Sequence, residues 1–227
     1  GDMFAMVSTG PSAVEEPMSY DRNRLQSAIS RVKGSGLALQ DMFDAGEGAL
    51  GPPDVRRRAH VAFTVAYQLI QGLGNVRDRR KALILISNGY DFDPFPEARA
   101  GKDKVFGGRY GTPQVDEERG ERFMTLEAQH NKFADVDLAA ELRGLANAAN
   151  RANVSVYSID PRGLPGTISA ERQLDRDEWR THLQKTQASL RVLAESTGGV
   201  AVVNDNDFTG ALKRIDAETS DYYMLGY

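Results

Sequence analysis

The sequence predicts an α/β fold, a three-layer, doubly wound arrangement of helices around a mostly parallel sheet. Short apolar runs alternate along the chain with amphipathic helical patterns, as in strands joined by right-handed helical crossovers. The run at residues 81–87 is apolar throughout its centre, which indicates a strand covered on both faces. Two long connections, at about 90–120 and 161–180, follow predicted strands and leave the sheet at the edge where open α/β folds bind ligands.

The composition fits one domain over residues 1–227 and excludes several classes of protein. Cysteine is absent, which excludes disulfide scaffolds, cysteine-ligated metals and thiol catalysis. With 28 Lys and Arg against 32 Asp and Glu, the net charge of −4 argues against binding to nucleic acid. No apolar run approaches the roughly 20 residues that a membrane span needs.

Periodicity places the individual elements along the chain. The predicted strands are short apolar runs, which span residues 3–8, 81–87, 154–159, 200–203 and 222–227. The predicted helices have apolar residues at helical spacing, and they begin after Asp21, at Pro53, at Asp137, near Leu183 and after Asp207. A short helical turn is expected at residues 37–43.

Two loop motifs match ligand-binding patterns but lack the flanking structure that those patterns require. Residues 46–51 match G-x-G-x-x-G, yet a helical stretch precedes them and prolines follow, so a pyrophosphate would not meet a helix N-terminus. Residues 205–216 resemble a calcium loop of the EF-hand type, but they follow a strand and end in Asp216 instead of a bidentate glutamate. A helix capped by Asp207 explains the same residues.

The remaining polar residues do not specify a reaction. Solvated loops are the expectation for the three Asp-x-Asp pairs, which are Asp91/Asp93, Asp135/Asp137 and Asp175/Asp177. The first pair is the most interesting because it lies at the predicted ligand edge. The histidines are expected to be isolated on helix surfaces, at His60, His130 and His182, and no nucleophile or phosphate-binding motif accompanies them. Trp179 fits either an exposed contact residue or a cap on the sheet edge.

Several blocks of the sequence occur in the order of one known family. They are residues 1–7 and 21–25, 80–89 (RKALILISNG), 148–163 (AANRANVSVYSIDPRG), 193–199 (LAESTGG), 204–207 (NDND) and 222–227 (YYMLGY). The blocks resemble the second strand and its helix, the fourth strand, the fifth strand and the C-terminal pattern of a von Willebrand factor type A-related domain. The resemblance is to the subfamily abundant in Acidobacteria, and it covers nearly the whole chain.

The resemblance implies a Rossmann-like fold and a role in binding proteins, outside the cytoplasm, in the periplasm or at the cell surface. Many type A domains hold a divalent ion with D-x-S-x-S after the first strand, a threonine in a later loop and an aspartate after the fourth strand. This chain has no D-x-S-x-S, places Leu37 at the threonine position and Asn88 at the aspartate position. We therefore expect a degenerate metal-ion-dependent adhesion site, with no metal and no cofactor.

The resemblance also implies that the first strand of the family is missing from this sequence. That strand would lie between residues 3–8 and 81–87, and its absence would leave buried backbone groups unpaired at about 1–3 kcal/mol each. We therefore expect the sequence to be a portion of a longer chain, or another segment to fill the gap.

The function expected is a non-enzymatic protein–protein interaction or scaffold module that uses the loops at one edge of the sheet. The candidate contact residues are Leu37, Asn88, Asp91, Asp93, Arg109, Asp160 and Arg162. One alternative is a structural accessory subunit of a larger cell-envelope or membrane complex. A second, less favoured alternative is a hydrolase or nucleotide-binding enzyme on the same kind of sheet, because a fold alone does not fix function.

Overall fold

The structure is a computed structural model that describes residues 2–10, 14–34, 36–37, 42, 52–76, 79–96, 117–164 and 176–220. Within the helix Glu117–Arg151, side chains are described from Ala134 onwards. Arg109, the glycine motif at 46–51, Asp175 and the strand expected at 222–227 lie outside the described residues, and so does most of the turn expected at 37–43. No helix that the structure describes is both long enough and apolar enough to cross a membrane.

The N-terminal part of the chain forms a small antiparallel unit. Strand β1 (Phe4–Val7) lies within the predicted run at 3–8 and pairs antiparallel with β2 (Glu15–Ser19). Strand β2 was not predicted, because its residues, EEPMS, include two glutamates and a proline, which are depleted in strands and tolerated at sheet edges. Helix α1 (Arg22–Arg31) follows and is capped by the Asp21 carboxylate, which accepts the N–H of Asn23 at 2.9 Å.

The other three strands form a parallel sheet in the order β3–β4–β5. They are β3 (Lys81–Ile86), β4 (Val154–Ile159) and β5 (Ala201–Val202), and β3 pairs with β4 in a continuous register from Lys81↔Val154 to Ile86↔Ile159. This sheet confirms the α/β class and the parallel strand direction. Among the described residues, β1 and β2 do not pair with it, so the strands form two separate sheets.

Strand β4 is the central strand and is buried on both faces. On one face, Val154 and Val156 belong to the main core, which includes Phe63 and Ile70 of α2 (Pro53–Gly74). The same core contains Leu142 and Leu145 of α3 (Glu117–Arg151) and Leu193 of α4 (Arg176–Glu195). On the other face, Tyr157 and Ile159 pack with Ile215 of α5 (Phe208–Ser220).

Strand β3 differs from its predicted environment. The apolar run at 81–87 indicated cover on both faces, but only Leu83 and Leu85 pack against the main core. Ala82, Ile84 and Ile86 are exposed, and Ile86 retains 66% of its accessible surface. The prediction of full cover is wrong for the described part of the chain, because α5 covers the neighbouring β4 residues and no described element covers β3 on that face.

Helix α3 differs from its prediction, whereas helix α5 begins where it was predicted. Helix α3 begins at Glu117, twenty residues before the predicted start, so its first residues overlap the end of the insertion expected at 90–120. Helix α5 begins at Phe208 with Asp207 accepting the N–H of Gly210 at 2.8 Å, which confirms the capping role. Asp216 lies inside this helix, so residues 205–216 do not form an EF-hand loop.

Candidate functional site

The loops that follow the three parallel strands meet at one edge of the sheet. We call this the carboxyl edge, and it consists of residues 87–96 after β3, 160–164 after β4 and 203–207 after β5. Parallel strands end at the same side of a sheet, so these loops are neighbours although they are far apart in sequence. Helix α4 runs past all three loops, and its residues 182–189 contact each of them.

The strongest feature of this edge is an ion pair between Arg162 and Asp160. Asp160 is almost fully buried, and its two carboxylate oxygens accept Nε–H and Nη2–H of Arg162 at 2.8–3.1 Å. The backbone N–H of Arg162 also donates to Asp160, at 3.0 Å. A buried carboxylate requires such partners, because an unpaired charge in this environment is strongly unfavourable.

Three oxygens converge on one atom of this arginine. Nη2 of Arg162 donates to a carboxylate oxygen of Asp160 at 2.8 Å, to the backbone carbonyl of Asn88 at 2.7 Å and to Oγ1 of Thr186 at 3.0 Å. These oxygens come from the loop after β4, the loop after β3 and helix α4. One guanidinium therefore joins three segments of the carboxyl edge, and charge-assisted bonds of this kind are stronger than neutral ones.

The loop after β3 is buried, which the sequence analysis did not anticipate. The aspartates of the first Asp-x-Asp pair and their neighbours, Asp91, Phe92, Asp93, Pro94 and Phe95, are each less than one-tenth exposed. The expectation of solvated loops is therefore wrong for Asp91/Asp93, and Asp135/Asp137 lies on helix α3. The loop is held because aromatic rings enter the core, with Tyr90 against Phe63 and Phe92 beneath the guanidinium of Arg56.

Polar contacts attach the same loop to α4. The Oδ2 atom of Asp91 lies 2.7 Å from Nδ1 of His182, and the N–H of Tyr90 donates to Oγ of Ser189 at 2.9 Å. Gly89 has φ of +82°, and a Cβ there would lie 2.1 Å from the carbonyl oxygen of Thr186. Only glycine allows this approach of loop to helix.

Burial raises the pKa of Tyr90 above its usual value of 10.0, and a hydrogen bond with the Ser87 side chain opposes the shift.

Aromatic side chains surround the Asp91–His182 contact. The ring of Phe95 lies 4.6 Å from that of His182, measured between centroids, and is parallel to the Trp179 ring at 6.2 Å. Phe95 has φ of 55°, a left-handed conformation that costs an ordinary residue about 1–2 kcal/mol and is maintained here by packing. Trp179 is half-buried and therefore covers this contact at the sheet edge.

The loop after β5 is tied to the other two by side-chain amides. Asn206 accepts the N–H of Leu164 at 2.9 Å, across the two loops. Gln187 of α4 donates to Asn204 at 2.6 Å and accepts from it at 3.1 Å. The side chains of α4 that contact the three loops are those of His182, Thr186, Gln187 and Ser189, and the last three are buried.

The candidate contact residues fall into different environments. Asn88 is exposed, and its side chain makes no hydrogen bond within the part of the chain that the structure describes. Arg162 retains 19% of its side-chain surface, whereas Asp91, Asp93 and Asp160 are buried and Leu37 is half-buried in a separate loop. Leu164 was not predicted as a contact, yet it is 61% exposed at this edge. A lone leucine after an Asp-Pro-Arg-Gly turn gives no sequence signal of that position.

These residues do not fit the divalent-cation site that the family resemblance implies. The Asn88 carbonyl and the Asp160 carboxylate already accept hydrogen bonds from Arg162, whose positive charge would repel a second cation. Asn88 itself provides a neutral amide, and Leu37 provides no oxygen. Within the residues that the structure describes, no group of three or more His, Asp or Glu side chains is placed to hold a metal ion.

His182 is the residue of this edge that the sequence analysis misplaced. It was expected to be isolated on a helix surface, but its side chain is only 11% exposed and contacts Asp91. The two residues are 91 positions apart, so no local spacing indicates the pair. Among the described residues, the hydrogen-bond partner of the His182 ring is Asp91.

Comparison of the chain with protein-family models, with curated proteins and with solved structures gives no match.

Proposed function

We propose that the protein is a non-enzymatic, protein-binding module that contacts its partner through the carboxyl edge. The observation that carries this proposal is the convergence of three oxygens from three segments on Nη2 of Arg162. The contacts fix the backbone of two loops before any partner binds, so little loop entropy is lost on binding. Exposed side chains on this fixed frame, Asn88 and Leu164 among them, are then available for contact.

The same arrangement supports a recognition surface that does not use a metal. In the implied family a divalent cation organises this edge, and here a guanidinium joins the corresponding loops. The proposal therefore includes a Rossmann-like, three-layer type A fold with a degenerate metal-ion-dependent adhesion site. Location outside the cytoplasm is part of the proposal and rests on the resemblance alone.

The unpaired strand edges support a further strand in this fold. Strand β3 pairs only with β4, and the β1–β2 pair forms its own sheet among the described residues. A strand between β1 and β3 would join both sheets and cover unpaired backbone groups. We include such a strand in the proposal, supplied by a longer chain or by another segment.

A structural subunit of a larger cell-envelope or membrane complex is the second candidate. The exposed apolar residues Ile84 and Ile86 favour it, because neighbouring exposed apolar residues on one strand mark a surface that another element covers. A free binding protein would release its partner on dilution, and a fixed subunit would remain in a complex of constant stoichiometry during native gel filtration.

Affinity capture with matched variants tests the principal proposal. The bait is the whole chain, presented to an extract of its source, and the variant is Leu164→Asp, which places a charge at an exposed position of the carboxyl edge. The control is Val192→Asp on α4, which is 44% exposed and makes the same chemical change. We expect a partner that is captured by the native chain and by Val192→Asp but is lost, by about tenfold or more, with Leu164→Asp.

Two results would contradict the proposal. Equal capture by Leu164→Asp and Val192→Asp would show that the partner binds elsewhere on the molecule. Loss of the partner from the native chain on adding a chelator would show that a metal mediates recognition. Circular dichroism of both variants establishes that each retains the native fold.

A further inference from the structure

We infer that Arg162 is a binding site for a carboxylate group, through the Nη1 atom that its own contacts leave unused. Nε and Nη2 of Arg162 donate to Asp160, Asn88 and Thr186, and Nη1 forms no hydrogen bond within the described part of the chain. Nη1 carries two N–H donors, and a carboxylate is the acceptor whose charge and geometry match a guanidinium. The inference rests on the proposed function, because it assigns the carboxylate to a partner protein.

The site is built before the ligand arrives. The Asp160 carboxylate that holds Arg162 is fully buried, and Thr186 is fixed in turn because its hydroxyl donates to the carbonyl of Leu183 at 3.0 Å. An arginine on a free surface must lose rotamer freedom when it binds an acid, and Arg162 has already lost it. Fixed donors of this kind bind an acidic group more tightly than mobile ones.

The charges are arranged so that the accessible end of the pair is positive. Asp160 lies on the buried side of the guanidinium and is the only carboxylate in ion-pair contact with it among the described residues. Arg162 is partly exposed, and its Nη1 donors have no acceptor among the described residues. Asn88, whose backbone carbonyl accepts from Nη2, also has an exposed side-chain amide with no hydrogen bond among the described residues, and this amide provides a donor for the second carboxylate oxygen.

Arg57 provides a matched comparison within the same molecule. It also donates Nε–H and Nη2–H to one aspartate, Asp54, at 3.3 and 3.0 Å. Both partners are about two-thirds exposed, so this pair is mobile and weak. If fixation by buried oxygens makes Arg162 a site, Arg57 must bind a carboxylate much less well.

The test is a nuclear magnetic resonance titration of the whole, isotope-labelled chain that follows the Nε–H signals of Arg162 and Arg57. The probes are a capped Gly-Asp-Gly peptide, its Gly-Asn-Gly counterpart, and sodium acetate. We expect the aspartate peptide to shift the Arg162 signal saturably, at a concentration about tenfold lower than it needs for Arg57. The asparagine peptide should leave the Arg162 signal unchanged, since it lacks the charge.

The titration uses only the native chain, so its interpretation does not depend on whether a variant folds. Equal shifts at Arg162 and Arg57, an equal effect of the asparagine peptide, or no saturable shift at Arg162 would each overturn the inference. Binding of acetate as tight as that of the peptide would keep the carboxylate site and assign it to a small acid. A saturable peptide shift together with unchanged capture by Leu164→Asp would retain the site and reject the proposed partner surface.

Discussion

At the residue scale, Arg162 joins the loops after β3 and β4 to helix α4. The sequence singled out Arg162, Asp160 and Asn88, because each follows a predicted strand at the edge where ligands bind. It did not show that they contact one another. Asn88 contributes its backbone carbonyl, which every residue type possesses, so its residue type gives no signal for that role.

Tyr90 gives a prediction about pH at the same scale. Its pKa is raised by burial, so above pH 10 the unfolded chain loses the phenolic proton while the folded chain keeps it. Stability should therefore fall as the pH rises through and beyond 10. Tyr90→Phe keeps the ring contact with Phe63 and removes the ionisable group. Urea unfolding between pH 9 and 11 should show a steeper loss of unfolding free energy for the native chain than for Tyr90→Phe, and parallel curves would contradict this.

At the scale of elements, helix α4 holds the loops of the carboxyl edge through buried polar side chains. Thr186, Gln187 and Ser189 are each less than one-tenth exposed, although their residue types are usually found at surfaces. The helix was predicted from its leucines, which give no information about this polar face. Each of these side chains forms a hydrogen bond with a loop that is remote in sequence. The periodicity of apolar residues gives no information about such contacts.

The contact between Asp91 and His182 should contribute measurably to stability. His182→Ala removes the side-chain partner of the buried Asp91 carboxylate, which keeps the N–H of Asp93 at 3.2 Å, and we expect a loss of about 3 kcal/mol in unfolding free energy. The control is His60→Ala, since His60 lies 3.4 Å from Glu141 and both are about two-fifths exposed. Its loss should stay below about 1 kcal/mol.

A double-mutant cycle isolates this pair. Asp91→Asn should cost less in the His182→Ala background than in the native chain, with a coupling of about 1–3 kcal/mol. Chemical denaturation measures all four proteins. Additive effects, or equal losses for His182→Ala and His60→Ala, would show that the contact does not hold the loop.

Strand β3 was predicted correctly in position and incorrectly in environment. Its apolar run of residues is the pattern of a buried parallel strand, yet Ile84 and Ile86 are exposed. The apolar pattern of β3 and its exposure agree if a further strand pairs with β3 and a further element covers Ile84 and Ile86. Strand β2 shows the opposite case. Its charged sequence does not predict a strand, yet it pairs with β1.

At the scale of the whole molecule, hydrogen exchange tests whether a further strand completes the sheet. The N–H of Ser87 donates to Ile159, and the direction of N–H groups alternates along a strand, so those of Ala82, Ile84 and Ile86 point away from β4. We expect these three amides to be protected from exchange in the protein isolated from its natural source, because the added strand would accept their hydrogen bonds. Rapid exchange of all three amides would argue against the added strand.

The α/β class and the parallel direction of β3, β4 and β5 could be predicted because they depend on local apolar patterns. The separation into two sheets could not, since it depends on which strand edges meet. The same limit applies to the carboxyl edge, where the loop after β3 is buried by contacts with α2 and α4. Residue types at the strand ends located the candidate site, and the tertiary contacts determined its chemistry.

The central claim is that a guanidinium, and not a divalent cation, organises the carboxyl edge. Calorimetric titration of the chain with Mg²⁺ and Mn²⁺ tests it most directly, with Asn88→Ala as the comparison protein. The account predicts no saturable heat at micromolar concentrations of either ion, because Arg162 already engages the Asn88 and Asp160 oxygens. Micromolar binding by the native chain that disappears in Asn88→Ala would contradict it.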